Sequence, residues 1–113
     1  MADIIYIDQE DGKKRVVNNA KLYATLLTKF KNETRIDPIF AALDAGNYEE
    51  ARELTHTLKG VTANLSIKEL NAKVVELESQ IKARSVSPGA INAVKEVFAA
   101  TLPELERVIA ENG

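Results

Sequence analysis

The chain has 113 residues, 45% apolar and 28% charged, the composition of a single globular domain. Fifteen basic against seventeen acidic residues give a net charge of −2 with no polybasic run, so neither nucleic acid nor an anionic membrane surface is an expected partner. The absence of cysteine excludes disulfides, thiolate metal sites and a cysteine nucleophile, and a single histidine makes a closed zinc site improbable. No metal and no cofactor is expected.

Aromatic residues are 5% of the chain and Trp is absent, so the core must come from Ala, Leu, Ile and Val, which leans helical. The start, Met1-Ala2-Asp3-Ile4, lacks the basic and long apolar regions of a signal peptide. The longest apolar run, Ile39 to Leu43, falls far short of the roughly 20 residues that span a bilayer, and the expected location is the cytoplasm.

In chain order, Ile4-Ile5-Tyr6-Ile7 is β-branched and has no partner strand, so it should pack against helices and lead into a short helical turn between Gln9 and Val17. From Asn19 to Lys31, Leu22, Tyr23, Leu26, Leu27 and Phe30 recur at helical spacing. A short helix carrying Ile36, Ile39, Phe40 and Leu43 should start at Asp37-Pro38, with Asp37 as N-cap, and stop near Gly46. Asn47 with Glu50 forms a capping box that opens a helix from about Tyr48 to Asn64. Ser66 with Glu69 repeats that device before a helix bearing Ile67, Leu70, Val74, Leu77 and Ile81. After Ser85, Ser87 and Pro88 the last helix presents Ile91, Val94, Phe98, Leu102, Leu105 and Ile109, with Pro103 expected to kink it or end its first half.

Short connections between long amphipathic helices force antiparallel neighbours. The expected fold is all-α: an antiparallel up-and-down four-helix bundle with short additional N-terminal helices. One unit spans 1–113, divided into an N-terminal segment with a short helix (1–18) and a helical bundle (19–112).

The chemistry concentrates between Arg52 and Asn64. Taking Ala51, Leu54, Leu58, Val61 and Leu65 as the buried stripe, His56 lies roughly 200° from Leu54 and 160° from Leu58 at about 100° per residue, and so points outward. Lys59 at i+3 and Gly60 at i+4 share its face, and Arg52 and Ala63 continue the strip. A water-facing imidazole is a nucleophile largely neutral at physiological pH. A phosphoryl group on it would lie within reach of Lys59, whose charge offsets the phosphate's about −1.5 to −2. Gly60 weakens its own helix by about 1 kcal/mol relative to Ala, which suggests that clearance is wanted beside the ring. Taken singly, each residue has a plainer explanation: a surface His, a solvating Lys, a Gly that allows a close helix contact. Their conjunction on one face is harder to attribute to accident.

The run His56-Thr57-Leu58-Lys59-Gly60 followed by Ala63-Asn64-Leu65 resembles the signature of histidine phosphotransfer (HPt) domains. Leu22-Tyr23 with Leu26-Leu27 and Phe30 is similar to the family's first bundle helix. Ala42-Leu43 with Ala45-Gly46-Asn47 resembles the turn before the histidine helix, and Leu77-Glu78 fits the helix after it. Ser66 departs from the pattern, which often has Gly after Asn-Leu, and its expected role as a helix cap makes this a structural variation.

The resemblance implies a phosphorelay intermediate, not an enzyme with a nucleotide site. His56 would accept a phosphoryl group from a receiver-domain aspartyl phosphate and pass it to another receiver aspartate. Lys59 would be the neighbouring cation and Gly60 the clearance residue. Partners would be receiver domains of response regulators or a hybrid sensor histidine kinase, with the receiver supplying Mg²⁺ and the chain acting as a monomer. The docking face is expected to take in Arg52, Ala63 and Asn64 with part of an N-terminal helix, where Lys21 and Tyr23 are candidates. No Gly-rich phosphate loop is present, and the residues after His56 do not resemble a sensor-kinase dimerisation domain. Rival readings are a non-phosphorylated adaptor that binds receivers, a helical scaffold, and an enzyme with His56 as general base. The last is weakest, because no orienting carboxylate stands at recognisable spacing. The chain reads as a freestanding HPt protein, with a segment of a larger hybrid kinase as the alternative.

Overall fold

The computed structural model describes residues 4–113, so Met1–Asp3, part of the start read for signal-peptide features, lie outside the described residues. Six helices follow one another: α1 (Gln9–Arg15), α2 (Ala20–Glu33), α3 (Asp37–Asp44), α4 (Tyr48–Asn64), α5 (Lys68–Lys82) and α6 (Pro88–Asn112). Strands are absent among the described residues. The helix α4 packs on α5, α5 on α6, α6 on α2, and α3 on α4. None of these helices is long and apolar enough to cross a membrane.

The local start signals act largely as the sequence implies. Asn19, Asn47 and Ser87 each accept a bond from the backbone N–H three residues on, closing α2, α4 and α6 at their first turns. Only half of the expected capping box forms: the Asn47 backbone N–H donates to the Ala42 carbonyl at 2.8 Å, and Glu50 accepts instead from the Asn47 side-chain amide at 3.1 Å, while Gly46 takes the left-handed conformation (φ +74°). Two caps differ. Ile36, not Asp37, precedes the first turn of α3, because Pro38 fits equally well one position further in. Ser66 does not cap α5: Ile67 holds that position without a side-chain bond, and Ser66 itself is left-handed (φ +57°). Its hydroxyl instead donates to Asp11 of α1. A left-handed backbone at this turn is one that glycine adopts without steric cost and serine adopts less readily.

The seam of α5 is as read: Ile67, Leu70, Val74, Leu77 and Ile81 are all buried. Three other stripes are rotated. In α2, Leu22 is exposed while Tyr23, Ala24, Leu27 and Phe30 are buried, Leu22 lying about 100° from Tyr23 round the helix. In α4, Thr55 and Thr62 are fully buried and Val61 is exposed. Both hydroxyls donate to the carbonyl four residues back, to Ala51 at 2.6 Å and Leu58 at 2.9 Å, which satisfies them in an apolar setting. In α6, Val94, Thr101, Leu105 and Val108 are the fully buried positions, and the helix runs unbroken through Pro103. Pro103 and Ala99, whose carbonyl loses its partner, are both exposed, so water is available to that carbonyl.

The N-terminal segment closes one end of the molecule. Ile7 is buried, whereas Ile4 and Ile5 remain exposed, so the apolar run packs on the helices at one end only. The Asp8 amide donates to the Ser66 carbonyl at 2.9 Å, and the Tyr23 hydroxyl donates to the Leu65 carbonyl at 2.7 Å. Burial, with Asp8 and Asp11 nearby, pushes the Tyr23 phenol up to about 12. Gly12 allows α1 to lie on this ring, since a Cβ there would stand 2.4 Å from Tyr23 atoms. Gly12→Ala is therefore expected to destabilise the protein by about 1–3 kcal/mol, read by denaturant unfolding, because neither the buried ring nor α1 yields freely. Unchanged stability would show that α1 does not depend on this contact.

Candidate functional site

The rotation of the α4 stripe is what builds the site. With Ala51, Thr55, Leu58, Thr62 and Leu65 inward, the buried face turns by about 40° from the one expected for Leu54 and Val61. His56 thereby moves from the far side of α4 toward its α5 flank, still 63% exposed. Asn71 on α5 donates to the Lys59 carbonyl and the Thr62 hydroxyl, both at 3.0 Å, and fixes the two helices together beneath it.

On that flank His56 meets a residue the sequence reading left without a role. Glu78 of α5 accepts from His56 Nδ1 at 3.0 Å through Oε2, while Oε1 accepts from Lys59 Nζ at 2.6 Å. Lys82, one turn on in α5, adds a third contact at 3.3 Å. The side chain of Glu78 is 3% exposed. Burial alone would raise its carboxyl, but hydrogen bonds from Lys59, Lys82 and His56 outweigh that and hold it down at about 2. An ionised carboxylate cannot donate, so the proton between them belongs to Nδ1, and the neutral ring keeps its lone pair on Nε2. The orienting carboxylate missing from the neighbourhood of His56 in sequence thus comes from another helix. A signal for it was present: Glu78 falls four residues after Val74 and eight after Leu70, in the buried stripe of α5.

The remaining strip residues stand as follows. Lys59 is half-buried and engaged with Glu78, so it does not extend freely into solvent. Gly60 faces open space, with nothing within 4 Å of where its Cβ would be, so a close helix contact does not account for it. Ala63 and Asn64 are exposed, and Arg52 is half-buried. Arg52 lines a concavity with Tyr48, Glu49, Ile81, Lys82 and Arg84, and Arg84 lies over the Tyr48 ring at 5.1 Å. On the opposite flank of α4, Val61 and Asn64 border an apolar groove with Leu26, Lys29 and Phe30 of α2. Lys21 is exposed at the start of α2, but Tyr23 is wholly buried and is not part of any docking face. No cluster of acidic and imidazole ligands able to hold a metal occurs among the described residues.

An all-helical chain that presents one tethered imidazole at its surface is a histidine-bearing helical domain. The family model described as Hpt domain matches residues 26–110, well over half of the chain, and the chain belongs to that family. Hpt domains are phosphotransfer intermediates of two-component phosphorelays, and they interact with the receiver domains of their relay partners. No curated protein and no solved structure matches the chain.

Proposed function

We propose that His56 is the phosphoacceptor of a phosphorelay, taking a phosphoryl group from a receiver-domain aspartyl phosphate and passing it to a second receiver aspartate. The observation that carries this reading is the orientation of the ring. Its Nδ1–H is held by a buried carboxylate, which leaves the Nε2 lone pair outward on an exposed helix face. The fold that presents it is an antiparallel up-and-down four-helix bundle of α2, α4, α5 and α6, with α1 and α3 as additional short helices. It acts as a monomer in the cytoplasm.

In the forward step the Nε2 lone pair forms a bond to phosphorus while the acyl-phosphate P–O bond breaks, its electron pair returning to the receiver's carboxylate. The proton stays on Nδ1, so the ring gains positive charge opposite Glu78, which stabilises it as the carboxylate of a histidine dyad does. Transfer onward is the reverse of this step at a second carboxylate. Positioning and charge neutralisation carry most of such a transfer, and the receiver supplies its own Mg²⁺. The chain contributes an oriented nucleophile, the Lys59 cation and the clearance at Gly60. Arg52, Ala63 and Asn64 belong to the docking face.

The test is incubation with a phosphorylated receiver and Mg²⁺, assaying the chain for acid-labile, base-stable phosphate. Label on the wild type and none on a folded His56→Gln variant is the expected result. Receiver binding without label would instead make the protein a non-phosphorylated adaptor, and neither label nor binding would leave a helical scaffold.

A further inference from the structure

Two lysines converge on one oxygen of Glu78, from different helices. Lys59 arrives from α4, one turn past His56, and its Nζ sits 2.6 Å from Oε1. Lys82 arrives from α5, one turn past Glu78 itself, and sits 3.3 Å from the same atom. A buried carboxylate needs a cation, because a desolvated charge left alone is costly. It does not need two. Spacing decides which lysine is dispensable: Lys59 is the i+3 neighbour of His56 on the same helix, within reach of a group on that ring, whereas Lys82 stands beyond Glu78 on α5.

A phosphoryl group arriving at Nε2 brings a charge of about −1.5 to −2. Lys59 is the cation drawn toward it. Were Lys59 the only lysine on Glu78, its departure would leave a carboxylate that is 3% exposed with the His56 ring as its one remaining partner, and Glu78 would compete with the phosphoryl group for Lys59. We infer that Lys82 is a positioning residue: by pairing with Glu78 it releases Lys59 to meet the phosphoryl group entering at His56. This rests on the proposed role of His56 and names the residue that makes its neighbouring cation available.

The test uses phosphoramidate, a small donor that requires no receiver. Its P–N bond breaks as the P–Nε2 bond forms, ammonia leaves with the electron pair, and the proton remains on Nδ1. The rate of label appearing on His56, followed by phosphorus NMR, is compared among variants of the full chain. Lys82→Gln is expected to slow labelling by about threefold to fivefold, the scale of one partly exposed ion pair, and Lys59→Gln by at least as much. Lys82→Arg should restore the rate. In a Glu78→Gln background no carboxylate retains Lys59, so adding Lys82→Gln should change nothing further.

A wild-type rate for Lys82→Gln overturns the inference. So does a loss that persists in the Glu78→Gln background, since Lys82 would then act on the phosphoryl group directly. Lys82 is 55% exposed, so its substitutions leave the fold intact, and unfolding curves check that the Lys59 and Glu78 variants are folded under the labelling conditions. Labelling by phosphoramidate that follows this pattern while a receiver leaves no label would retain the role of Lys82 and remove the relay. Receiver labelling that ignores Lys82 would do the opposite.

Discussion

Replacing Glu78 by alanine is expected to slow phosphoryl transfer to His56 by about ten- to a hundredfold, the loss typical when the partner that orients a working imidazole is removed. Without Glu78 the ring loses the bond that fixes its rotation and its tautomer, and the positive charge developing on it loses the facing carboxylate. Glu78→Gln retains an acceptor for Nδ1–H but not the charge, and its loss should be smaller. Nitrogen NMR of the imidazole separates positioning from a general structural effect. The wild type should show one tautomer with the proton on Nδ1, and the alanine variant a mixture. A mixture with an unchanged transfer rate would remove Glu78 from the mechanism.

The same carboxylate carries a pH signature. Its folded value is lowered from 4.5 to about 2, so the unfolded chain binds more protons between these values and stability rises with pH there. The stabilisation is fully present above about 4.5 and is lost as the pH falls toward about 2. Asp11, bonded by Ser66 and Arg15 and lowered to about 2, adds a second acid-sensitive contribution in a similar window. The clean measurement is therefore a difference. Wild type should exceed Glu78→Gln in unfolding free energy near neutral pH, and the gap should close through this acid range. A gap that persists at the acid end would show that the carboxylate is not held by its cations.

What could be read in sequence was what neighbouring residues decide among themselves. Asn47 as N-cap, Ser87 with Pro88 and the left-handed Gly46 are local devices, and the structure places them as read. The stripe of α4 misled because hydropathy ranks Val61 above Thr62. A threonine that bonds the carbonyl four residues back is an adequate core residue, and packing against α5 chose it. Ser66 is similar: its partner, Asp11, lies 55 residues away, and nothing nearby in the chain announces the contact. In sequence Glu78 stands out only beside Leu77, with no role of its own, and only the apposition of α4 and α5 turns it into the anchor of His56, 22 residues off. The proposed nucleophile, His56, was legible because it faces water, and its support was hidden because it depends on another helix.

Gly60 yields the sharpest separation of docking from chemistry. Its helix position gains nothing from glycine, and a Cβ there meets no atom within 4 Å. Gly60→Ala should accordingly stabilise the protein by up to about 1 kcal/mol in denaturant unfolding. Helical side chains tilt toward the N-terminus, so a long residue at this position leans over the turn before it, where His56 stands. Gly60→Gln should share the gain in helix stability and yet slow transfer from a phosphorylated receiver by on the order of a hundredfold, the penalty for reactants held out of line. Phosphoramidate, small enough to reach Nε2 past the new side chain, should label that variant with a far smaller loss. Should receiver and small donor be slowed alike, the added side chain would be disturbing the imidazole itself. Should neither be slowed, the bare position beside His56 would have no part in admitting a partner.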